Sequence, residues 1–596
     1  MVKAPLYIGI VGCGSRGLSV LERLLSIAQE RPEQPVVIEL FEPNTPGAGV
    51  HHVDQPDYLL LNTVAGQLGV YPDTAALGDI WDARARPGPD FLTWCQSQNV
   101  KVDPDTGRVA AEGRDVEPED FLPRRLLGAY LIDTFNQLLE TTPSWVTVNL
   151  YTQPVEAIKR VTNNSFELKL PSDEVVAVDG LILTVGHTGR SVVNDAKRIS
   201  DVYPLPNSLE HITAGENVLI EGLGLGAMDV LAALTAGRGG RYQRAANGSH
   251  IYHPSGREPI IYIQSREGLP FRARPNGLTQ FPRHAAVFLT SKRIAELRKQ
   301  THDGRLDFER DIVPLMFLEM RAAAVAVLYY NTTSAAKEEL FELLRPVAES
   351  SLTDTSDVEA LLGEFERKYG AIEPEKIILH SLPSEVSASS YHAWVYDSIE
   401  TDLAEARIGR GESAIKAALE VWRDLRDRLR EVVDFDGLTE ASHRQFYGRW
   451  HKVINRLVAG PQKERHADLL ALCDAGLLSF VKPGETPAAP SYIRISGYVS
   501  SSGVIDSDCA PVRDLARLGL IRSKSNLVGI DGIDVNQDCH PRSINGDPVT
   551  NLWVLGPLAE GSCYYNHYVT SAGSPSRLFI DAHKAAVAAL QIGIAV

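Results

Sequence analysis

The sequence is poor in several things. It has 6 cysteines in 596 residues, and no two form a CxxC pair. That scarcity excludes a disulfide framework and a cysteine zinc site, and it fits reduced thiols in a cytoplasmic protein. Basic charge is short. Against 76 Asp and Glu stand 59 Lys and Arg, a formal charge of −17. Nucleic acid needs a basic face, so general phosphate-backbone binding is excluded. Small anionic ligands stay open, because one glycine-rich loop can hold a phosphate in an acidic protein. No uninterrupted apolar run reaches the roughly 18 residues of a membrane span, so no membrane partner is expected. The opening stretch MVKAPLYIGIVGCGSRG runs directly into a strand pattern, without the three-part pattern of a secretory leader. Long low-complexity tracts are missing too. With 44% hydrophobic and 23% charged residues, the composition is ordinary for a globular chain. At roughly 150 residues per domain, the length suits three or four domains or one elaborated core.

What is present begins at once. Leu6 to Val11 is a short buried-strand pattern, followed by Gly12-Cys13-Gly14-Ser15-Arg16-Gly17 and by helical apolar spacing from Leu18 to Ala28. Strand, GxGxxG and helix stand in the order a dinucleotide site requires. Gly12 permits the tight turn, Gly14 lets a pyrophosphate approach the backbone, and Gly17 lets helix and strand pack closely. Ser15 and Arg16 lie in the loop, and Arg16 faces either a phosphate or solvent. A second strand, Val36 to Phe41, ends at Glu42, 25 residues after Gly17. That is close to the spacing of an acid that accepts from ribose hydroxyls.

Further elements point to the same ligand. A third buried strand, Asp179 to Val185, closes at Gly186, which returns the chain beside the nucleotide. Near the C-terminus, Leu552 to Leu555 runs into Gly556, then Gly561, then a helical stretch from Ser576 to Leu590. Such elements at both ends predict a nucleotide domain that is discontinuous in sequence.

A second unit lies between them. Val218 to Glu221 reads as a strand, followed by the GxGxxA run with Gly222, Gly224 and Ala227 and a helix from Met228 to Thr235. The next strand, Ile260 to Gln264, ends at Ser265-Arg266. An arginine there can pair with a ribose 2′-phosphate, which favours NADPH, although Glu267 beside it opposes that. Arg238 to Glu258 reads as a loop insertion. His250 and His253 inside it have no third ligand nearby, so no metal site is expected.

Taken together, several stretches resemble the FAD-NAD(P)-binding family of two-dinucleotide-binding flavoproteins. They are Glu42-Pro43 with Gly47-Ala48-Gly49, Leu59 to Thr63, Phe121 to Tyr130, Thr184 to His187, and Ser265 to Pro270. The resemblance implies FAD at the first site and NADPH at the second. It also implies flavin-dependent N-hydroxylating monooxygenases, of which some act on ornithine or lysine and others oxidise the amine of aspartate. On that pattern NADPH reduces FAD, O2 is captured as a C4a-hydroperoxyflavin, and a substrate amine attacks its distal oxygen. The substrate is then a small amine or amino acid. Two other functions share the frame: a flavin oxidase or dehydrogenase, and a non-catalytic FAD-binding redox protein.

Asn62 and Gln67 are the candidates for polar side chains at the reacting centre, with turn or capping duty as the alternative for Asn62. Arg272, Arg274 and Arg283 are candidates for clamping a substrate carboxylate, with NADPH phosphate or surface roles equally open. Arg124-Arg125 starts a helix and touches either FAD phosphates or the neighbouring domain. Tyr564 to Tyr568 is a polar-aromatic run that either lines a cavity or packs as a loop.

From about residue 284 to 480 the pattern is mostly helical. Ile415, Ala418, Leu419, Trp422, Leu425, Leu429 and Val432 form one apolar stripe. Arg423, Asp424, Arg426, Asp427, Arg428 and Arg430 fill the rest of that helix, which predicts a solvated face. The expected architecture is α/β, with two Rossmann-like dinucleotide-binding domains and a large, mostly α-helical insertion. Its divisions are 1–195 and 486–596 for the discontinuous FAD domain, 196–283 for NAD(P), and 284–485 for a helical substrate domain. A homo-oligomer is compatible with this pattern.

Overall fold

The fold is that of a computed structural model, described for every residue except 1–3, 81–85, 190–193, 499–502, 505–506, 525–530, 567, 572–575 and 593–596. Two parallel sheets organise it. Their strands in chain order are β1 (Leu6–Val11), β2 (Val36–Phe41), β3 (Val146–Tyr151), β4 (Gly180–Leu183) and β5 (Arg198–Ile199). There follow β6 (Asn217–Glu221), β7 (Ile260–Gln264), β8 (Leu478–Phe480), β9 (Ile493–Ser496) and β10 (Leu552–Val554). The helices that shape the site are α1 (Ser15–Ala28), α2 (Arg124–Glu140), α3 (Leu225–Leu234), α4 (Val313–Thr333), α5 (Ala414–Asp424), α6 (Arg426–Val433) and α7 (Arg577–Ala589).

The first sheet runs β10-β4-β1-β2-β3. Leu181 pairs with Leu552, so strands from the two ends of the chain lie side by side. Parallel sheets are covered on both faces, which is why β1 and β2 are continuous apolar runs. Ile8, Ile10, Ile38 and Leu40 are all fully buried. Leu21, Leu24 and Leu25 of α1 share one core with Ala582, Ala585, Ala586 and Ala589 of α7. The small alanine face lets the last helix lie against the first.

The second sheet runs β5-β9-β6-β7-β8. It is therefore not confined to residues 196–283. β8 lies inside the span expected to be the helical domain, and β9 inside the expected C-terminal part of the FAD domain. Both are too short for a periodicity to show, at three and four residues. Only their places beside β7 and β6 make them strands. The expected loop at 238–258 contains a hairpin, Arg241–Arg244 against His250–His253.

The two sheets are joined by charge. Arg124 at the start of α2 forms a 2.7 Å ion pair with Asp229 of α3, and the Tyr203 hydroxyl donates to the same carboxylate at 2.6 Å. Arg124 thus touches the neighbouring unit.

The helical insertion has its own core around Met316, Met320, Trp422, Phe446 and Trp450. The helix Phe308–Thr333, with mean hydropathy 1.7, is long and apolar enough to cross a membrane by composition, yet it packs inside this core. The single helix expected from Ile415 to Val432 is two, α5 and α6, broken at Leu425. That break turns the charged face, as described next.

Candidate functional site

The first glycine turn is built around three missing Cβ atoms. Gly12 has φ +93°, and a Cβ there would come within 2.8 Å of the Thr184 carbonyl oxygen. A Cβ on Gly17 would lie 2.2 Å from the Gly12 oxygen, so α1 can pack on the turn only as glycine. A Cβ on Gly14 would stand 3.2 Å from the Cα of Gly49. Gly14 caps α1 without any side-chain hydrogen bond, and the first intrahelical bond is from Leu18 N–H to the Gly14 oxygen. The N–H groups of Ser15, Arg16 and Gly17 are left as donors at the positive end of the helix. This cradle fits a pyrophosphate.

Glu42 closes the turn. Its carboxylate accepts the Cys13 N–H at 2.7 Å and the Asn44 N–H at 3.0 Å. A carboxylate has about four lone-pair sites, so capacity for ribose hydroxyls remains. Gly186, Gly556 and Gly561 all have positive φ, at +74°, +86° and +101°. Beside Gly186 a Cβ would meet open space, whereas Gly556 lies against the Arg16 side chain. Arg16 is buried, and its guanidinium donates to the Asn566 carbonyl. Burial lowers its pKa to about 10, which leaves it cationic at neutral pH.

The second turn repeats the device. Gly222 has φ +130°, and Gly224 caps α3 with no side-chain hydrogen bond. Ala227 is fully buried, and a Cβ on Gly497 would lie 2.8 Å from the Ala227 Cβ. The loop after β9 therefore closes directly on α3. Arg266 is exposed just beyond the end of β7. Its neighbour Glu267 lies 3.9 Å from Arg456, so that acid is directed elsewhere.

A cavity opens beside the FAD-type unit. Thr63, Gln67 and Tyr568 line one side, and Glu420, Arg423 and Arg426 line another. Arg410 and Arg430 also line it, but they are engaged with Asp424 at 2.6 Å and Asp427 at 2.7 Å. Other cations have unfilled donors. Among the described residues, the Nε and Nη2 of Arg423 and the Nη2 of Arg426 are buried without a hydrogen bond, although Arg423 Nε stands 3.3 Å from Glu420. So are Nε, Nη1 and Nη2 of Arg274. Arg274 is 1% exposed and sits among Glu420, Tyr565, Arg426 and Arg410. Burial lowers its pKa, and the charge of Glu420 opposes that. A buried guanidinium without acceptors carries a large desolvation cost, which a bound anion removes.

The expected residues are distributed unevenly. Gln67 lines the cavity, and its Nε2 donates to the Leu278 carbonyl at 3.2 Å. Asn62 is half-buried next to Thr63. Arg283 lies on the exposed rim, and Arg274 is buried behind the wall. Arg272 is elsewhere, 3.3 Å from Asp402. Tyr565 lies under Arg426 with the guanidinium 3.8 Å from its ring centre, and Tyr568 lines the cavity. His567 of that run lies outside the described residues. His250 is bound to Asp468 and His253 to Gln243.

Glu420, Arg423 and Arg426 were not among the expected site residues, because a charged helix face reads as solvated. The break at Leu425 turns it inward. The signal was Arg423, Arg426 and Arg430, three arginines at i, i+3 and i+7 in the sequence.

The family described as FAD-NAD(P)-binding matches residues 9–188. An L-aspartate N-monooxygenase (nitrosuccinate-forming) of Streptomyces davaonensis is 32% identical over 506 residues, covering 80% of this chain and 76% of that protein. The chain belongs to the FAD-dependent N-hydroxylating monooxygenases. A nitrosuccinic acid synthase of Aspergillus oryzae is 29% identical over 502 residues, covering 80% of this chain and 73% of that one. Among solved structures, cyclohexanone monooxygenase from Rhodococcus sp. Phi1 bound to NADP+ aligns over 93% of this chain and 81% of its own, at 11% identity and a TM-score of 0.36. The enzyme is an oxidoreductase with FAD and NAD(P)H as cofactors and a small-molecule substrate oxidised with O2. Neither the oxidase or dehydrogenase alternative nor the non-catalytic one is favoured.

Proposed function

We propose that the enzyme N-oxidises L-aspartate, and that the arginine cavity is where the amino acid binds. The observation that carries this is Arg274, a guanidinium buried behind the cavity wall with no hydrogen bond to any of its three nitrogens among the described residues. Arg423 and Arg426 add further unfilled donors on the cavity wall. Two carboxylates of one small molecule match this donor set, because guanidinium binds carboxylate in a fork. The names of the two relatives, which cite aspartate and nitrosuccinate, support the same substrate and an oxidation that proceeds to the nitroso level.

Each group of residues has its task. The N–H groups of Ser15 to Gly17 at the start of α1 would hold the FAD pyrophosphate, and Glu42 would take its ribose. The Gly222 to Ala227 turn holds NADPH, with Arg266 on the 2′-phosphate. Bound FAD, reduced by NADPH, supplies the activated oxygen. The protein orients the amine toward it and excludes water. Gln67 on the cavity wall, with Asn62 close by in sequence, is the polar element assigned to the reacting centre.

The test is a substrate panel. Purified enzyme with NADPH and O2 is offered L-aspartate, L-glutamate, L-ornithine and L-lysine, and N-oxidised products are followed by mass spectrometry. Aspartate-dependent nitrosuccinate is the expected result. Oxidation of ornithine or lysine in preference to aspartate would overturn the proposal.

A further inference from the structure

Among the described residues, the cavity has many unfilled donors, the unpartnered hydroxyl of Ser576 and one carboxylate acceptor without a hydrogen bond. That acceptor is Oε2 of Glu420, which is buried without a hydrogen bond. Glu420 is 3% exposed, and Arg423 Nε lies 3.3 Å away without hydrogen-bond alignment. The other carboxylates of the wall are occupied. Asp424 accepts from Arg410 and from the His284 N–H, and Asp427 accepts from Arg430.

We propose that Glu420 receives the α-ammonium group of the substrate and takes one proton from it at Oε2, releasing the neutral amine for oxygen transfer. The inference rests on the acidic-amino-acid substrate argued above. An amino dicarboxylate carries two acceptor groups and one donor group. The arginines can meet only the acceptors, since a guanidinium has no lone pair to offer. Something else must meet the ammonium, and Glu420 is the wall carboxylate with an oxygen that accepts no hydrogen bond among the described residues, which gives it the charge that the Ser576 hydroxyl lacks.

The step balances without redox change. One N–H bond of the ammonium breaks and one O–H bond forms on Glu420, and the electron pair stays on nitrogen. An ammonium has no lone pair with which to attack oxygen, so this transfer must precede the oxidation. The surroundings suit a proton acceptor. Burial raises the carboxyl's proton affinity and Asp424 adds to that, while Arg274, Arg410 and Lys416 hold it down.

The experiment compares L-aspartate with succinate, which keeps both carboxylates and lacks the amine. Each is titrated calorimetrically into the FAD-loaded enzyme. The wild type is expected to bind aspartate at least tenfold more tightly than succinate. Glu420→Gln is expected to lose that margin while binding succinate as the wild type does, and to lose at least a hundredfold in kcat for N-oxidation. Glu420→Asp, which keeps the carboxylate, is expected to recover part of the margin. A Glu420→Gln enzyme that keeps the wild-type margin overturns the proposal, and so does one that weakens both acids equally. If Glu420→Gln does not retain FAD, the wild-type pair decides, since equal binding of the two acids overturns it. A wild type that binds neither acid sinks the aspartate substrate itself, and the proposal with it.

Discussion

Arg16, from the first glycine turn, stands 5.0 Å from the ring centre of Tyr568. Arg430 of α6 stands 4.9 Å from the same ring. One aromatic side chain thus contacts both a cation of the first glycine turn and a cation of the arginine cavity. Cation–π contacts of this kind contribute about 0.5–2 kcal/mol each. Tyr568→Leu is expected to weaken FAD retention and raise the KM for the amino acid together. Tyr568→Phe, which keeps the ring, is expected to change both far less. Flavin absorbance after gel filtration and steady-state kinetics check this.

Gly14→Val is expected to yield protein without yellow colour. A Cβ there already stands 3.2 Å from the Gly49 Cα, so the valine methyls would push the turn apart and disturb the N–H groups that would hold the pyrophosphate. Flavin content per chain is the measurement, with circular dichroism to show that the fold survives.

Arg266→Ala is expected to raise the KM for NADPH about tenfold or more and leave that for NADH nearly unchanged. The lost contact is charge-assisted and specific to the 2′-phosphate. Equal effects on both nucleotides would refute that role. Arg266 is exposed, so little change in stability is expected.

Arg274→Met is expected to separate binding from stability. Removing a buried cation with no hydrogen bonds leaves the substrate-free protein as stable or more so, by about 1 kcal/mol. Losing the partner of a buried carboxylate costs binding about 2–5 kcal/mol, or roughly 30-fold and more. Thermal melts with and without L-aspartate read both effects. Arg274→Lys is not a conservative control, because ammonium cannot form the bidentate fork.

The fold is expected to lose stability below neutral pH through buried histidines. Burial lowers the pKa of His443 and of His466 to about 4 from 6.5. Both are neutral in the fold, while the unfolded chain takes up protons as pH drops through 6.5. Their stabilisation is therefore complete above pH 6.5 and lost as pH falls toward 4. Each contributes up to about 3 kcal/mol to that loss. Urea unfolding at pH 7 and pH 5 measures it, and His466→Gln is expected to narrow the difference.

Much of this was legible in the residues alone. The turns at Gly12 to Gly17 and Gly222 to Ala227 declare themselves, because a strand, a tight glycine turn and a helix leave few alternatives. Continuous apolar runs such as Leu6 to Val11 can be satisfied only in a covered parallel sheet. The discontinuous first domain was readable from strand patterns at both ends. Local patterns could not reveal β8 and β9, whose three and four residues are too few to show a period. Nor could they show that Arg272 turns to Asp402 while Arg274, two residues on, is buried beside Glu420.

The sequence by itself determined that dinucleotides bind, since local geometry carries that information: a missing Cβ and a helix N-terminus suffice to bind a phosphate, and the family resemblance added which dinucleotides. Only the tertiary structure brought together the arginine cavity proposed for the substrate. The charged face of residues 420–430 has the composition of a solvated helix, and a period gives no sign of which way a polar face points. The break at Leu425 and the packing of α5 and α6 beside Tyr565 and Tyr568 turn that face inward. Burial then converts surface charges into unpaired donors that an anion can fill.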